Sequence, residues 1–159
     1  MKTISLLWPL IALTQTACAE SSVWDKPTPA LAKPTEMTVY RSPTCGCCKK
    51  WIGHMEKQGF IIKDVPSDDM ESVKQKLGIS APLQSCHTAV VEGYVVEGHV
   101  PAGDVKKLLK TKPQASGLAA PGMPTGSPGM EVGGLKGNFS IILFDKQGNA
   151  EKFNEYSNH

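Results

Sequence analysis

The chain has 159 residues, enough for one domain with extensions and a sizeable buried core. Its net charge is +2, and three Trp, three Tyr and four Phe are not interleaved with basic residues, which argues against nucleic-acid binding. Five cysteines make thiol chemistry the first question.

Residues 1–19 read as an export signal. Lys2 supplies the positive start, Ile4 to Leu13 a short apolar run, and Ala17-Cys18-Ala19 an A-x-A cleavage site before Glu20. Spanning a bilayer takes roughly 20 apolar residues, about twice that run, so the segment reads as removable and the mature chain as exported. Lipoprotein anchoring through Cys18 is the alternative, against which Gln15 stands where such sites usually carry Leu. Either way, Cys45, Cys47, Cys48 and Cys86 remain for the folded domain.

Residues 20–36 are polar and carry Pro27, Pro29 and Pro34, the composition of a linker. A core over 37–112 follows. Met37 to Tyr40 alternates as a first strand, and 41–44 reads as a turn. Cys48, Trp51, Ile52 and Met55 then fall on one helical face, with His54 off that face and Gly59 at the end. Phe60 to Val65 reads as a second strand. Ser67-Asp68-Asp69 caps a second helix with Met70, Val73 and Leu77 inward and Gly78 closing it. His87 to Val91 and Val95 to Glu97 read as strands joined through 92–94. Pro101 opens a third helix that buries Val105, Leu108 and Leu109, turns Lys106, Lys107 and Lys110 outward, and stops at Pro113. This is an α/β order, βαβ, helix, ββα, which is that of a thioredoxin-like core. Residues 113–137 form a long Gly/Pro/Met loop without period, and 138–159 an appended C-terminal β-hairpin around Asp145 to Asn149.

The chemistry concentrates at Cys45-Gly46-Cys47-Cys48, at the mouth of the first helix. Adjacent cysteines cannot staple distant segments, so a disulfide framework is a weak reading despite the export signal. Unpaired N–H groups at the helix start, with Lys49 and Lys50, favour thiolates, which suits a nucleophile and a metal ligand equally. Ligand count separates the two. Cys45 and Cys48 alone form a C-x-x-C redox pair; Cys47 is in excess, and in a thioredoxin frame Cys86 faces the helix mouth. Four thiolates suit one Zn2+ or several bridged Cu(I) ions. The spacing lacks the paired knuckles of structural zinc, so copper is the first expectation and zinc the alternative. His87 beside Cys86, and His99 at a strand-to-helix turn, are candidate outer ligands, although a lone histidine is more often structural. Met123 and Met130, each held in a Gly/Pro loop, are candidate soft thioether ligands; a role in pinning the loop weighs equally.

Cys45-Gly46-Cys47-Cys48, Ser85-Cys86-His87-Thr88-Ala89, Gly93-Tyr94, Glu97-Gly98-His99-Val100-Pro101, and 121–124 through Gly129-Met130-Glu131 resemble the CopG-type copper-resistance proteins. These are exported bacterial metal-binding proteins, unrelated to the ribbon-helix-helix repressor sharing the name. The resemblance covers about 37–131 and departs only at Leu83-Gln84, where no ligand lies. It implies a thioredoxin-like domain holding a cysteine-bridged copper cluster on Cys45, Cys47, Cys48 and Cys86, and a role in periplasmic copper tolerance. It also implies copper ions and other periplasmic copper-handling proteins as partners, and a suggested copper oxidoreductase activity. Thiol–disulfide exchange by Cys45 and Cys48 is the rival expectation.

Overall fold

The computed structural model describes residues 22–157. The expected export segment, Cys18 and His159 lie outside the described residues. Seven strands form one sheet in the order β2-β1-β3-β4-β5-β6-β7. β1 (Thr35–Arg41), α1 (Gly46–Lys57) and β2 (Phe60–Pro66) make a βαβ unit with parallel strands. α2 (Met70–Lys76) and a 3-10 turn (Ala81–Leu83) lead to the antiparallel pair β3 (His87–Val91) and β4 (Tyr94–Glu97). α3 (Ala102–Thr111) then crosses to β5 (Gly117–Ala119), parallel to β4. β6 (Phe139–Phe144) and β7 (Ala150–Tyr156) complete the sheet. Among the described residues, no helix is long and apolar enough to cross a membrane.

Strand alternation sends neighbouring residues to opposite faces, and the core divides accordingly. Met37, Val39, Ala89, Val91, Val96 and Leu118 join Trp51 and Met55 of α1 and Val105 and Leu108 of α3 in the larger cluster. Val95 and Ala119, the strand neighbours of Val96 and Leu118, join Ile79 and Phe144 in the smaller one. The buried face of α1 is also tied by a hydrogen bond, since the Trp51 indole donates to the Val100 carbonyl over 2.9 Å.

Four expectations change. The segment 113–137 contains the strand β5, too short to leave a period in the sequence. It depends on Gly117, where a Cβ would fall 1.8 Å from the Val95 carbonyl oxygen. Through β5 the C-terminal hairpin is continuous with the central sheet. Its last strand is tied to α3 where buried Asp104 accepts from Asn154 Nδ2 and the Tyr156 hydroxyl, each over 2.8 Å. Second, Lys106 is not outside: it is 9 % exposed, its stem covering apolar surface. Third, His54 is buried at 7 % exposure, and its Nε2 accepts the Ala102 N–H over 3.1 Å. It lies beside the apolar stripe of α1 and was drawn inward by the start of α3, a contact that helical periodicity does not report. The residues before β1 are docked too. Gln58 accepts from Thr28 N and Oγ1 and donates to the carbonyls of Trp24 and Lys26.

Candidate metal centre

Cys45 is the N-cap of α1, and its Sγ accepts the Cys48 N–H over 3.3 Å. Capping fixes the turn, so Cys47 and Cys48 fall in the first turn of the helix, where the macrodipole favours negative charge. Cys45 and Cys48 are joined in a disulfide, whereas Cys47 and Cys86 are free thiols. Cys47 Sγ lies 3.5 Å from Cys45 Sγ and 3.9 Å from Cys86 Sγ. All four sulfurs lie within 4.8 Å of one another. Cys86 arrives from the segment just before β3, as the thioredoxin-like order predicts.

A second group shares one member with the first. Cys86 Sγ stands 3.3 Å from His87 Nδ1 and 3.0 Å from His99 Nε2, and the ligand atoms of Cys86, His87 and His99 lie within 4.8 Å of one another. The tautomer of His99 follows from its other nitrogen. Nδ1 lies 2.8 Å from the Pro128 carbonyl oxygen, which only accepts, so Nδ1 carries the hydrogen and Nε2 turns a lone pair toward Cys86. A backbone carbonyl behind the ring is the usual outer partner of a metal-binding histidine. His87 is fully buried, with its ring 4.4 Å from the Trp51 ring centroid and 5.0 Å from that of His99. Its Nε2 has no hydrogen-bond partner.

Burial sets the protonation of this group. It pushes the Cys86 thiol up to about 12, with Cys47 adding to the effect. It holds His87 well below the ordinary imidazole range, helped by His99 and Lys74, and lowers His99 as well. Both imidazoles are therefore neutral at pH 7, the form in which a histidine binds a metal. The Cys86 thiol keeps its proton until a cation displaces it. Once the Cys45–Cys48 bond is reduced, four sulfurs and two neutral imidazoles, one of them with an orphaned nitrogen, suit a soft, thiophilic metal ion, and no carboxylate belongs to either group.

The Gly/Pro/Met loop closes over the same place. The residues 126–129 are buried, and a Cβ at Gly129 (φ +83) would lie 2.8 Å from Trp51 N and 2.9 Å from Cys47 O. Only glycine lets the loop rest on the first turns of α1 and bring the Pro128 carbonyl to His99. Met130, half-buried, ends this turn. Farther back, Ser85 donates through its hydroxyl to the Gly122 carbonyl, and Met123 next along is 57 % exposed. The structure thus brings the loop that carries both methionines against the segment that carries Cys86.

Sequence reasoning missed two contributors. The Pro128 carbonyl acts through the main chain and has no side-chain signature. Glu97, fully buried at the end of β4, pairs with Lys74; a charged residue closing an apolar strand was the available signal.

A family described as a protein of unknown function, DUF411, matches residues 83–130, which carry Cys86, both candidate histidines and both loop methionines. No curated protein matches the chain. Two solved structures of a copper resistance protein, CopG, are similar over most of the chain. Form 2 is 43 % identical with a TM-score of 0.76, covering 79 % of this chain and all of that one. Form 1 is 44 % identical with a TM-score of 0.74, covering 78 % of this chain and 98 % of that one. At this identity and coverage, with the cysteine group assembled in the fold, the chain belongs to the CopG-type family.

Proposed function

We propose that this protein binds several Cu(I) ions per chain in a cysteine-bridged cluster and serves copper resistance in the periplasm. The observation that carries the reading is the double membership of Cys86, which stands in both the four-sulfur group and the Cys-His-His group. A thiolate placed between two sets of donors can bridge metal ions, which a single tetrahedral site does not require. Cys45, Cys47, Cys48 and Cys86 would be the thiolates and His87 and His99 the imidazoles, with Met123 and Met130 as capping thioethers. The likeness to a copper resistance protein supports copper over zinc. Bound copper would supply one-electron chemistry, so interconversion of Cu(I) and Cu(II) and exchange with other periplasmic copper-handling proteins complete the reading.

The test is anaerobic Cu(I) titration of the reduced mature domain. More than one tightly held copper per chain is expected, with all four thiols protected from alkylation. Cys86→Ser should lower the stoichiometry more than His99→Asn, since it removes a ligand from both groups. A single metal ion, or none in competition with a Cu(I) chelator, would refute the cluster.

One observation favours a second reading, the Cys45–Cys48 disulfide. In that reading the reduced Cys45 thiolate attacks a partner disulfide, one partner sulfur leaves as thiolate, and Cys48 displaces the other. The chain ends oxidised and the partner reduced. Cys45 is the more exposed of the pair and Cys48 fully buried, the arrangement of an attacking and a resolving thiol. It requires that Cys47→Ser and Cys86→Ser keep exchange activity while Cys45→Ser loses it.

A further inference from the structure

A charged network lies buried directly behind the Cys-His-His group. The Glu97 carboxylate, 0 % exposed, accepts from the Lys74 ammonium, from Ser85 N over 2.6 Å and from the Thr88 hydroxyl over 2.5 Å. Lys74, 5 % exposed, also donates to Thr88 Oγ1 over 3.1 Å. These partners have a pattern. Ser85 immediately precedes Cys86, Thr88 immediately follows His87, and Glu97 stands two residues before His99. One further bond, Gly98 N to the His87 carbonyl at 2.9 Å, joins the start of β3 to the turn that carries His99. A single carboxylate is thereby bonded on both sides of Cys86-His87 and covalently linked to His99.

Stability does not explain the pair. Desolvating an ammonium and a carboxylate costs about as much as their attraction returns, and apolar replacements of similar volume are often neutral or stabilising. What such a pair does supply is a fixed geometry, with directional bonds from α2, β3, β4 and the Ser85 turn meeting at one point. It also leaves the volume behind the thiols without net charge.

We infer that Glu97, compensated by Lys74, is the positioning residue of the metal centre: it holds the Ser85–Thr88 segment against the start of the His99 turn. The inference rests on the reading of Cys86, His87 and His99 as ligands. Glu97 makes no bond to a ligand sulfur or imidazole. It acts through the backbone that presents them.

The experiment uses Glu97→Gln, Lys74→Met and the double replacement Lys74→Met with Glu97→Leu. The double variant removes both charges, so it is expected to fold whatever the single variants do. In the reduced, metal-free protein, amide hydrogen exchange at Ser85 is expected to speed up about 100-fold or more in the double variant, with β1 and β2 amides unchanged. In the loaded protein, Cu(I) affinity is expected to fall roughly 10-fold, the size typical of lost outer-shell support. The single variants add a readout that loosening alone would not move. Glu97→Gln leaves a buried ammonium, which favours the electron-richer state of the centre, and Lys74→Met leaves a buried carboxylate, which disfavours it. Their reduction potentials should therefore shift in opposite directions.

Wild-type protection of Ser85 in a folded double variant would overturn the inference. So would equal potential shifts of the same sign in the two single variants. If wild-type protein takes up no copper, the proposed function fails instead, and Ser85 exchange still decides whether Glu97 positions this segment.

Discussion

Gly129→Ala tests whether the Gly/Pro/Met loop is part of the site or only passes over it. The added Cβ would meet Trp51 N at 2.8 Å and Cys47 O at 2.9 Å, both backbone atoms of α1 that cannot swing aside. The residue also sits at φ +83, where a side chain costs about 1–2 kcal/mol. Crowding into a packed contact adds about 1–3 kcal/mol. If the loop stayed docked, the total would be roughly 2–5 kcal/mol, a fall in Tm on the order of 10 °C for a domain of this size. If the loop lifts instead, the cost falls on the bond from His99 Nδ1 to the Pro128 carbonyl. The proton of His99 is then free to move to Nε2, where it blocks the lone pair that faces Cys86. Two measurements separate these outcomes, thermal unfolding and the nitrogen chemical shifts of the His99 ring. The expected result is a lower Tm or a mixed tautomer, with Cu(I) affinity reduced about 10-fold in the second case. A Tm within about 2 °C of wild type, with His99 still protonated only on Nδ1, would refute the argument that this glycine holds the loop to the site.

Two further predictions concern the frame. Burial lowers His54 to about 4, and its Nε2 accepts the Ala102 N–H in that neutral form. Its folded value lies below its unfolded value of about 6.5, so its contribution is complete above pH 6.5, is lost as pH falls from there to about 4, and is constant below. Urea unfolding between pH 7 and 4 should therefore show wild type losing roughly 3 kcal/mol more than His54→Gln, and equal losses would show that His54 is not the group responsible. At the far end of the sheet, Tyr156→Phe removes a hydroxyl donor from buried Asp104 and should cost about 1–3 kcal/mol, measured by chemical unfolding. Cu(I) binding should be unchanged in that variant, and a loss would mean that the hairpin is coupled to the centre.

The sequence by itself determined the local order. The apolar spacing of Cys48, Trp51, Ile52 and Met55 predicts α1, alternation predicts β1, and Gly59 and Gly78 mark where helices end. These signals are local, because a helix face or a strand face repeats within a few residues. The group Cys45, Cys47, Cys48 and Cys86 was legible for the same reason, three of its members being neighbours in the chain and the fourth following from the fold order. Tertiary structure decided what depends on distant segments meeting. β5 exists because Gly117 lets the backbone approach Val95, and three residues are too few to show a period. His54 and Lys106 are buried by neighbours their own helices do not specify. Only the folded chain could give His99 its tautomer, through a carbonyl 29 residues away, or join Lys74 to Glu97 across 23 residues behind Cys86. A main-chain carbonyl has no letter in the sequence, and a charge closing an apolar strand marks a buried site there without naming its partner.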